Sequence, residues 1–537
     1  MLPEAARISL ARTALAEIPK LLTLLDRMPV SPTFGCFDRA YWHYRLIDFP
    51  SGMSQEFVLP LALAWSLDLP DNPYRAAPAL RSWIEAGIRF AAGSAHPDGS
   101  CDDYYPFERA TGAAAFSLFA ILEAADLIDL RDDDFDAFLK RRAGWLAAHE
   151  ESGRLANHEA LVVCCLQRMS ERFGGDAFEA PMRRRLGRLL GWQSSEGWFS
   201  EYGGADLGYL SLTIGLLADL DRRRPDLGLR EALASAIRFA AEFVHPDGTT
   251  GGEYSSRGTL NFFPHGFEIA GAWMPDALAL NDRALRPLVE NRLPCYSDDR
   301  IIGHHLWSWL MTWREFRHDR PAARAPVDGR RWFPEAGLIV DRSDGLSLFA
   351  APGRGGVFKL FGGEALVVSD TGPTFRVGPK GRVAVTHLAP SSTSTQDQRE
   401  IVVEGRMTWA KNAKLTPAKN IVLRLVMVSL GRFFPDLVRR VLQRLLVTGR
   451  RDAPFRYRRV LTRSAEGWTV KDEIQPDRGW SAVTAAGISG FQLSMTTITA
   501  RVFQADQFQP WLDLTPQIRK LAGLTSLVVE RHYGRKS

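Results

Sequence analysis

The sequence predicts a two-part α+β chain: about six helical hairpins over residues 1–318, a linker at 319–331, and an antiparallel β-sandwich over 332–537. Three observations predict it. A repeat of about fifty residues runs through the first part. A proline- and arginine-rich stretch, "RHDRPAARAPVDGRR" (317–331), ends it. Beyond that stretch the hydrophobic residues change from helical spacing to short runs bounded by Gly, Asp and Pro.

The repeat is plainest where "IRFAAGSAHPDGS" at Ile88 returns as "IRFAAEFVHPDGT" at Ile237, 149 positions on. Glycine-marked turns at Gly52, Gly99, Gly153, Gly197, Gly248 and Gly303 are spaced by 47, 54, 44, 51 and 55 residues. A polar patch follows each turn, and then an apolar run such as 113–127 or 207–220. Helix-like stretches such as 79–93 and 230–244 precede most turns. One period therefore holds one helical hairpin, and such units stack as an open solenoid or close into a ring. In either case the polar patches collect at one end.

The first residues, up to Met28, have helical spacing, with Glu4, Arg7, Arg12, Glu17 and Lys20 interrupting every apolar run. That is no signal peptide, and no window offers a membrane span, so a cytoplasmic location is expected. Cys36, Cys101, Cys164, Cys165 and Cys295 form no CxxC pair and no disulfide framework. A formal charge of +5 is too small to imply nucleic acid but leaves room for a local basic groove.

The second part reads as strands in "AGLIVDR", "LSLFAAP", "GVFKLFGG", "ALVVSDTG", "REIVVEG", "YRRVLTR", "GWTVKDEI" and "SLVVERHYG". One segment departs from this, 418–451, which is apolar with periodic arginines. It reads either as a helical insertion packed on the sandwich or as an interfacial helix touching an anionic membrane, on the inner face. Pro435 predicts two shorter helices with a break between them.

Four patches carry candidate chemistry. The first in importance is Arg154, Asn157, His158 and Glu159; the second is Glu201, Tyr202, Asp206 and Tyr209; the third is Arg257, Asn261, His265 and Glu268. A weaker one holds Tyr104, Tyr105, Glu108 and Arg109, and His304-His305 open the last repeat. Taken singly, Asn157-His158 could be a helix cap, and the tyrosines could be packing residues. The two "HPDG" turns, with His96 and His245, read as structural.

An Asn-His pair at a helix start, a Gly-aromatic-Glu-Tyr stretch some forty residues on, an Arg/His patch, and then "WFPEAGLIVDR" (332–342) resemble the heparinase II/III-like polysaccharide lyases and their alginate-lyase relatives. The resemblance runs from about residue 40 onward. It implies an (α/α) toroid followed by a β-sandwich, cleaving a uronic-acid polysaccharide by β-elimination, within exopolysaccharide or capsule metabolism. Elimination needs the uronate carboxylate neutralised, a base at C5 and an acid at O4. Carried over, Asn157 and His158 hold the carboxylate, with His158 also a candidate base. Tyr209, ahead of Tyr202, is the proton shuttle, provided cationic neighbours lower its pKa. Arg257 and His265 become substrate contacts; Glu201, Arg154, Tyr105, Arg109, His304 and His305 join them as substrate-binding candidates. The partner implied is an acidic polysaccharide or oligosaccharide.

The chain departs from the family's pattern at Glu196-Gly197, where typical members carry Asp-Gly, and in the early strands, which keep "SDTG" (369–372) but lack a histidine before His387. No cofactor is required, and a divalent metal in the β-domain lacks its histidine. Two other functions compete. A glycoside hydrolase would draw on two of Glu159, Glu201, Asp206 and Glu268. A non-catalytic protein would bind or assemble an acidic glycan.

Overall fold

The computed structural model describes residues 2–151, 153–294, 302–322, 326–387, 393–410, 416–443, 451–490, 502–504, 508 and 511–534. Cys295 and residues 444–450 of the predicted insertion lie outside them.

Two kinds of helix alternate along the first part. Helices Val58–Ser66, Thr111–Leu127, Ala156–Phe173, Leu207–Arg223, His265–Ala270 and Ile302–Glu315 are buried nearly all round. In Thr111–Leu127 the buried residues run unbroken from Thr111 to Ala125. Helices apolar on every side belong inside. Each packs on the next, and the last packs on the first, so the six close a ring. The partners Pro78–Gly93, Asp133–Ala148, Glu179–Leu190, Arg230–Glu242 and Pro275–Val289 bury one face each and lie outside. Helix Leu2–Leu24 takes the sixth outer place, against Pro275–Val289 and Ile302–Glu315. The stretches that the periodicity delimits, 79–93, 113–127, 207–220 and 230–244, match Pro78–Gly93, Thr111–Leu127, Leu207–Arg223 and Arg230–Glu242 to within a few residues.

The linker is shorter than the sequence predicts. Arg320 fastens its start to the helical part through Glu268 (2.8 Å), and residues 329–331 already belong to the strand Gly329–Phe333. That strand opens a five-stranded antiparallel sheet continued in chain order by Leu338–Ser343, Leu346–Ala351, Val357–Gly362 and Ala365–Asp370. Period-two alternation gives the sheet two apolar faces. Leu338, Val340, Phe349, Ala351, Val357 and Phe361 join the helical core. Ile339, Leu348, Ala350, Phe358 and Leu360 share a second core with a larger, nine-stranded antiparallel sheet. The layers therefore run helices, small sheet, large sheet.

Between strands Glu400–Trp409 and Asp452–Ser464 the chain leaves the sheet as the helix Pro417–Val426, a π-turn at Met427–Gly431, and the helix Pro435–Gln443. The break falls at Pro435, as predicted. Met427, Gly431 and Val438 are buried, Met427 lying against Gly431 of the insertion itself, while most of its large apolar side chains are exposed.

Candidate functional site

The inner helices all begin at the same step of each repeat. Their N-termini, with unpaired N–H groups and positive dipole ends, therefore gather on one rim of the ring. Three of the loops entering them are stitched together. Ala156 N–H bonds Ser200 O (3.3 Å), Tyr202 N–H bonds Arg154 O (3.1 Å), and Leu155 bridges Glu201. The Ser256 hydroxyl donates to Glu201 O at 2.8 Å. Asp206 locks the third loop to the second. Its carboxylate caps Leu207–Arg223 through Tyr209 N–H (3.1 Å) and accepts the Ser255 hydroxyl (2.9 Å) and Arg257 N–H (2.9 Å).

These ties bring Asn157, His158, Glu201, Tyr202, Tyr209 and Arg257 together. Asn157 N–H points at Glu201 Oε2 (3.5 Å). The Arg257 guanidinium lies 3.9 Å above the Tyr202 ring and 5.5 Å from that of Tyr209. His158 Nδ1 is 2.6 Å from Glu151 Oε2, and its ring fits only because residue 112 is glycine; a Cβ there would stand 2.5 Å from the imidazole.

The electrostatics are those of a site. Burial pushes the Glu201 carboxyl up to about 7, against the pull of His158 and Arg257. Burial pulls His158 down, but Glu151, with Glu201 behind it, outweighs that and raises it above the ordinary imidazole range. Arg257 is half-buried, and desolvation pulls on it, yet Tyr209, Tyr202 and Glu201 around it keep it firmly charged. Asn157 is 1% exposed, and among the described residues its amide makes no well-formed hydrogen bond, although it lies close enough to Glu201 to draw that carboxyl's pKa down. A buried amide left poorly bonded costs ~1–3 kcal/mol.

One expectation fails at Tyr202. Arg257 does draw its pKa down, but desolvation by the surrounding chain wins, and the phenol is raised. The residue is also 44% exposed, with φ +53°. It supports Arg257 better than it could move a proton.

The other predicted residues divide. Arg154 is exposed at the cluster's edge, and Tyr105 is half-buried in the neighbouring loop. Arg109, in that same loop, is held by Asp98 at 2.8 Å. His304 stands behind His158: it bonds Glu56 (2.7 Å) and stacks on Phe116 (4.0 Å), whose ring meets His158 edge-on at 5.8 Å. His265 and His305 are not on the rim, which corrects their reading as substrate contacts. His265 is tucked against Gly215, bonds Ser308 (2.8 Å), and is pushed by burial down to about 3. His305 is fully buried and stacked on Phe263 (4.8 Å), with burial holding its pKa well below the ordinary value. Both are neutral core residues.

Glu151 and Glu56 are the residues the motifs missed. Glu151 had a signal, a carboxylate one turn-loop before the Asn-His pair. Glu56 is 248 residues from His304 and meets it only because the ring closes.

The departures also find places. Glu196 accepts the backbone N–H groups of Glu335 and Ala336 (both 2.9 Å), so it clamps the sheet domain to the rim. Asp370 of "SDTG" pairs with the buried Arg459 (2.8 Å) and with Arg531 (3.1 Å). Among the described residues there is no group of three His, Cys, Asp or Glu placed to hold a metal ion.

No protein-family model matches the chain, and no curated protein sequence matches it. Solved structures do. Chondroitin AC lyase of Streptomyces coelicolor A3, in complex with chondroitin sulphate, matches with a TM-score of 0.52 at 10% identity, over 91% of this chain and 68% of that one. Xanthan lyase of Paenibacillus matches at 0.47 and 10% identity, over 100% of this chain and 58% of that one. Heparan sulfate lyase HepC of Pedobacter heparinus matches at 0.39 and 10% identity, over 89% of this chain and 70% of that one. All three are polysaccharide lyases, and at 10% identity the likeness to the first is one of fold.

Proposed function

We propose that the ring is an (α/α) toroid, the paired sheets its β-sandwich, and the rim cluster the active site of a lyase that cleaves a uronic-acid-containing polysaccharide by β-elimination. The observation that carries this is the cluster itself: a buried Asn157 amide beside a charged Arg257, with Tyr209 within reach of the same cation.

The chemistry follows from these groups. Arg257 and the Asn157 amide take the substrate carboxylate, and His158, held by Glu151, adds a second positive charge. With the carboxylate neutralised, charge developing on it as C5 loses its proton is stabilised. Tyr209, acting as the phenolate beside Arg257, takes that proton and becomes the phenol. The C5–H electrons form the C4–C5 double bond, the C4–O4 bond breaks, and O4 leaves with a proton from the same phenol. Tyr202 stays under Arg257 and holds it in place.

A hydrolase is the second reading, and Glu201 is what favours it, because a carboxyl at about 7 is a usable general acid. It needs an opposed carboxylate. Of the other three carboxylates, Glu159 is paired with Arg185 (2.8 Å), Glu268 with Arg320, and Asp206 is committed to Tyr209, Ser255, Arg257 and Thr259. The test is incubation with a panel of uronate polymers. Ultraviolet absorbance from an unsaturated uronate supports elimination. New reducing ends without it replace the lyase reading with the hydrolase one, and binding without either product makes the chain a glycan-binding protein.

A further inference from the structure

The insertion Pro417–Gln443 is out of place for a water-soluble surface. Ile421, Leu425, Leu430, Phe433, Phe434 and Leu437 are each between 55 and 70% exposed. Isolated exposed leucines are ordinary; a cluster of large apolar side chains on one short helical unit marks an interaction surface. These six side chains stay exposed among the described residues, although the insertion springs from two central strands of the larger sheet.

We propose that this insertion docks on an anionic lipid bilayer. Charge selects that occupant. From Pro417 to Gln443 the sequence carries five Lys or Arg and one acidic residue, Asp436, with the basic residues distributed among the apolar ones. Arginine stems lie along hydrocarbon while their guanidinium groups reach phosphate, so this mixture is suited to the headgroup boundary. A second copy of the same positive surface would be repelled. The geometry is that of an element lying on a membrane rather than through it. The helices are 10 and 9 residues long, and among the described residues no helix is long and apolar enough to cross.

The docking surface is tied to the rim end of the ring. Arg424 pairs with Asp48 at 2.7 Å and lies over Phe49 at 5.7 Å, and Asp48 and Phe49 lead directly into the first turn of the ring at Gly52. A bilayer held by the insertion would therefore lie beside the loops that surround the candidate site. This proposal rests on the insertion's own surface and does not require the lyase reading.

Flotation with vesicles tests it, using the full chain. The protein is expected to float with equimolar phosphatidylcholine–phosphatidylglycerol vesicles, to stay behind with pure phosphatidylcholine, and to dissociate as salt rises. The triple variant Ile421→Asp, Leu425→Asp, Phe433→Asp should bind at least roughly tenfold more weakly, because each change sets an anion on the docking face. These side chains are exposed, so an unchanged melting curve is expected to accompany that loss. Hydrogen exchange on the unmodified protein gives a readout that needs no variant: the amides of 417–443 should gain protection with the anionic vesicles alone. Absence of flotation, equal binding to neutral vesicles, binding that survives in the triple variant, or unprotected amides would each overturn the proposal. So would a dimer without lipid binding that the triple variant dissolves.

Discussion

Replacing Glu201 with glutamine should stabilise the protein, and only at neutral to alkaline pH. The carboxyl is 2% exposed, and burial moves it from 4.5 to about 7. Below about pH 4.5 it is protonated in the folded and unfolded chains alike, and nothing is lost. As pH rises toward 7 the unfolded chain releases the proton while the folded chain keeps it. Stability therefore falls across this window, and above it the folded state carries an ionised, buried carboxylate at a cost of about 3 kcal/mol. Glutamine mimics the protonated form and cannot ionise. Urea unfolding of both proteins should agree near pH 4.5 and separate by up to about 3 kcal/mol at about pH 8.5, the variant being the more stable. A difference that is flat with pH, or a variant less stable at alkaline pH, would refute the reasoning. Loss of turnover alongside the gain would be the usual exchange of stability for function at a site.

Tyr209→Phe should lower formation of the ultraviolet-absorbing product by roughly 10²–10⁴-fold, while Tyr202→Phe, which leaves a ring under Arg257, should cost far less; equal losses would remove the distinction drawn between them. Asn157→Ala should abolish turnover and change the melting temperature little, because the amide makes no well-formed hydrogen bond among the described residues. His265→Ala should do the opposite. It leaves a cavity beside Gly215 and an unpaired Ser308, costing about 2–4 kcal/mol in denaturant titration, with kcat/KM of the folded fraction preserved. Asp472→Asn, which breaks a buried pair with Arg459 (2.7 Å), should cost about 3–5 kcal/mol. Because Arg459 and Arg531 hold the Asp472 carboxyl below its ordinary value, that contribution is present above about pH 4 and is lost on further acidification, which acid unfolding of the two proteins would show.

The helical half was legible because its signal is periodic and repeated. Burial on every side makes an inner helix apolar all round, burial on one side makes an outer helix amphipathic, and the alternation marks each hairpin. Closure was not legible. Whether the helices form a solenoid or a ring depends on Ile302–Glu315 meeting Val58–Ser66, a contact between segments more than two hundred residues apart that leaves no local trace. The strands were legible from their alternation, but the layer order was not. One face of the small sheet belongs to the helical core and the other to the large sheet, and both faces are simply apolar in sequence.

The site shows the same division more sharply. Asn157, His158, Tyr209 and Arg257 were found because they share a phase in the repeat, and phase is a statement about which end of a helix a residue occupies. It says nothing about whether the side chain turns toward the opening or into the ring. His265 and Arg257 sit in one loop-to-helix segment, eight residues apart. Arg257 lies before the helix, where Asp206 fixes its backbone and its guanidinium spreads over two tyrosines. His265 is the first residue of the helix, and there the absence of a side chain at Gly215 draws the imidazole inward. The deciding residue for His265 is thus a glycine fifty positions earlier, in a helix whose own composition looks ordinary. Glycine at position 112 does the converse for His158, making room for the ring beside Glu151. In this fold, then, an inner-helix glycine one repeat before a polar residue helps decide which imidazoles stay at the rim and which fill the core.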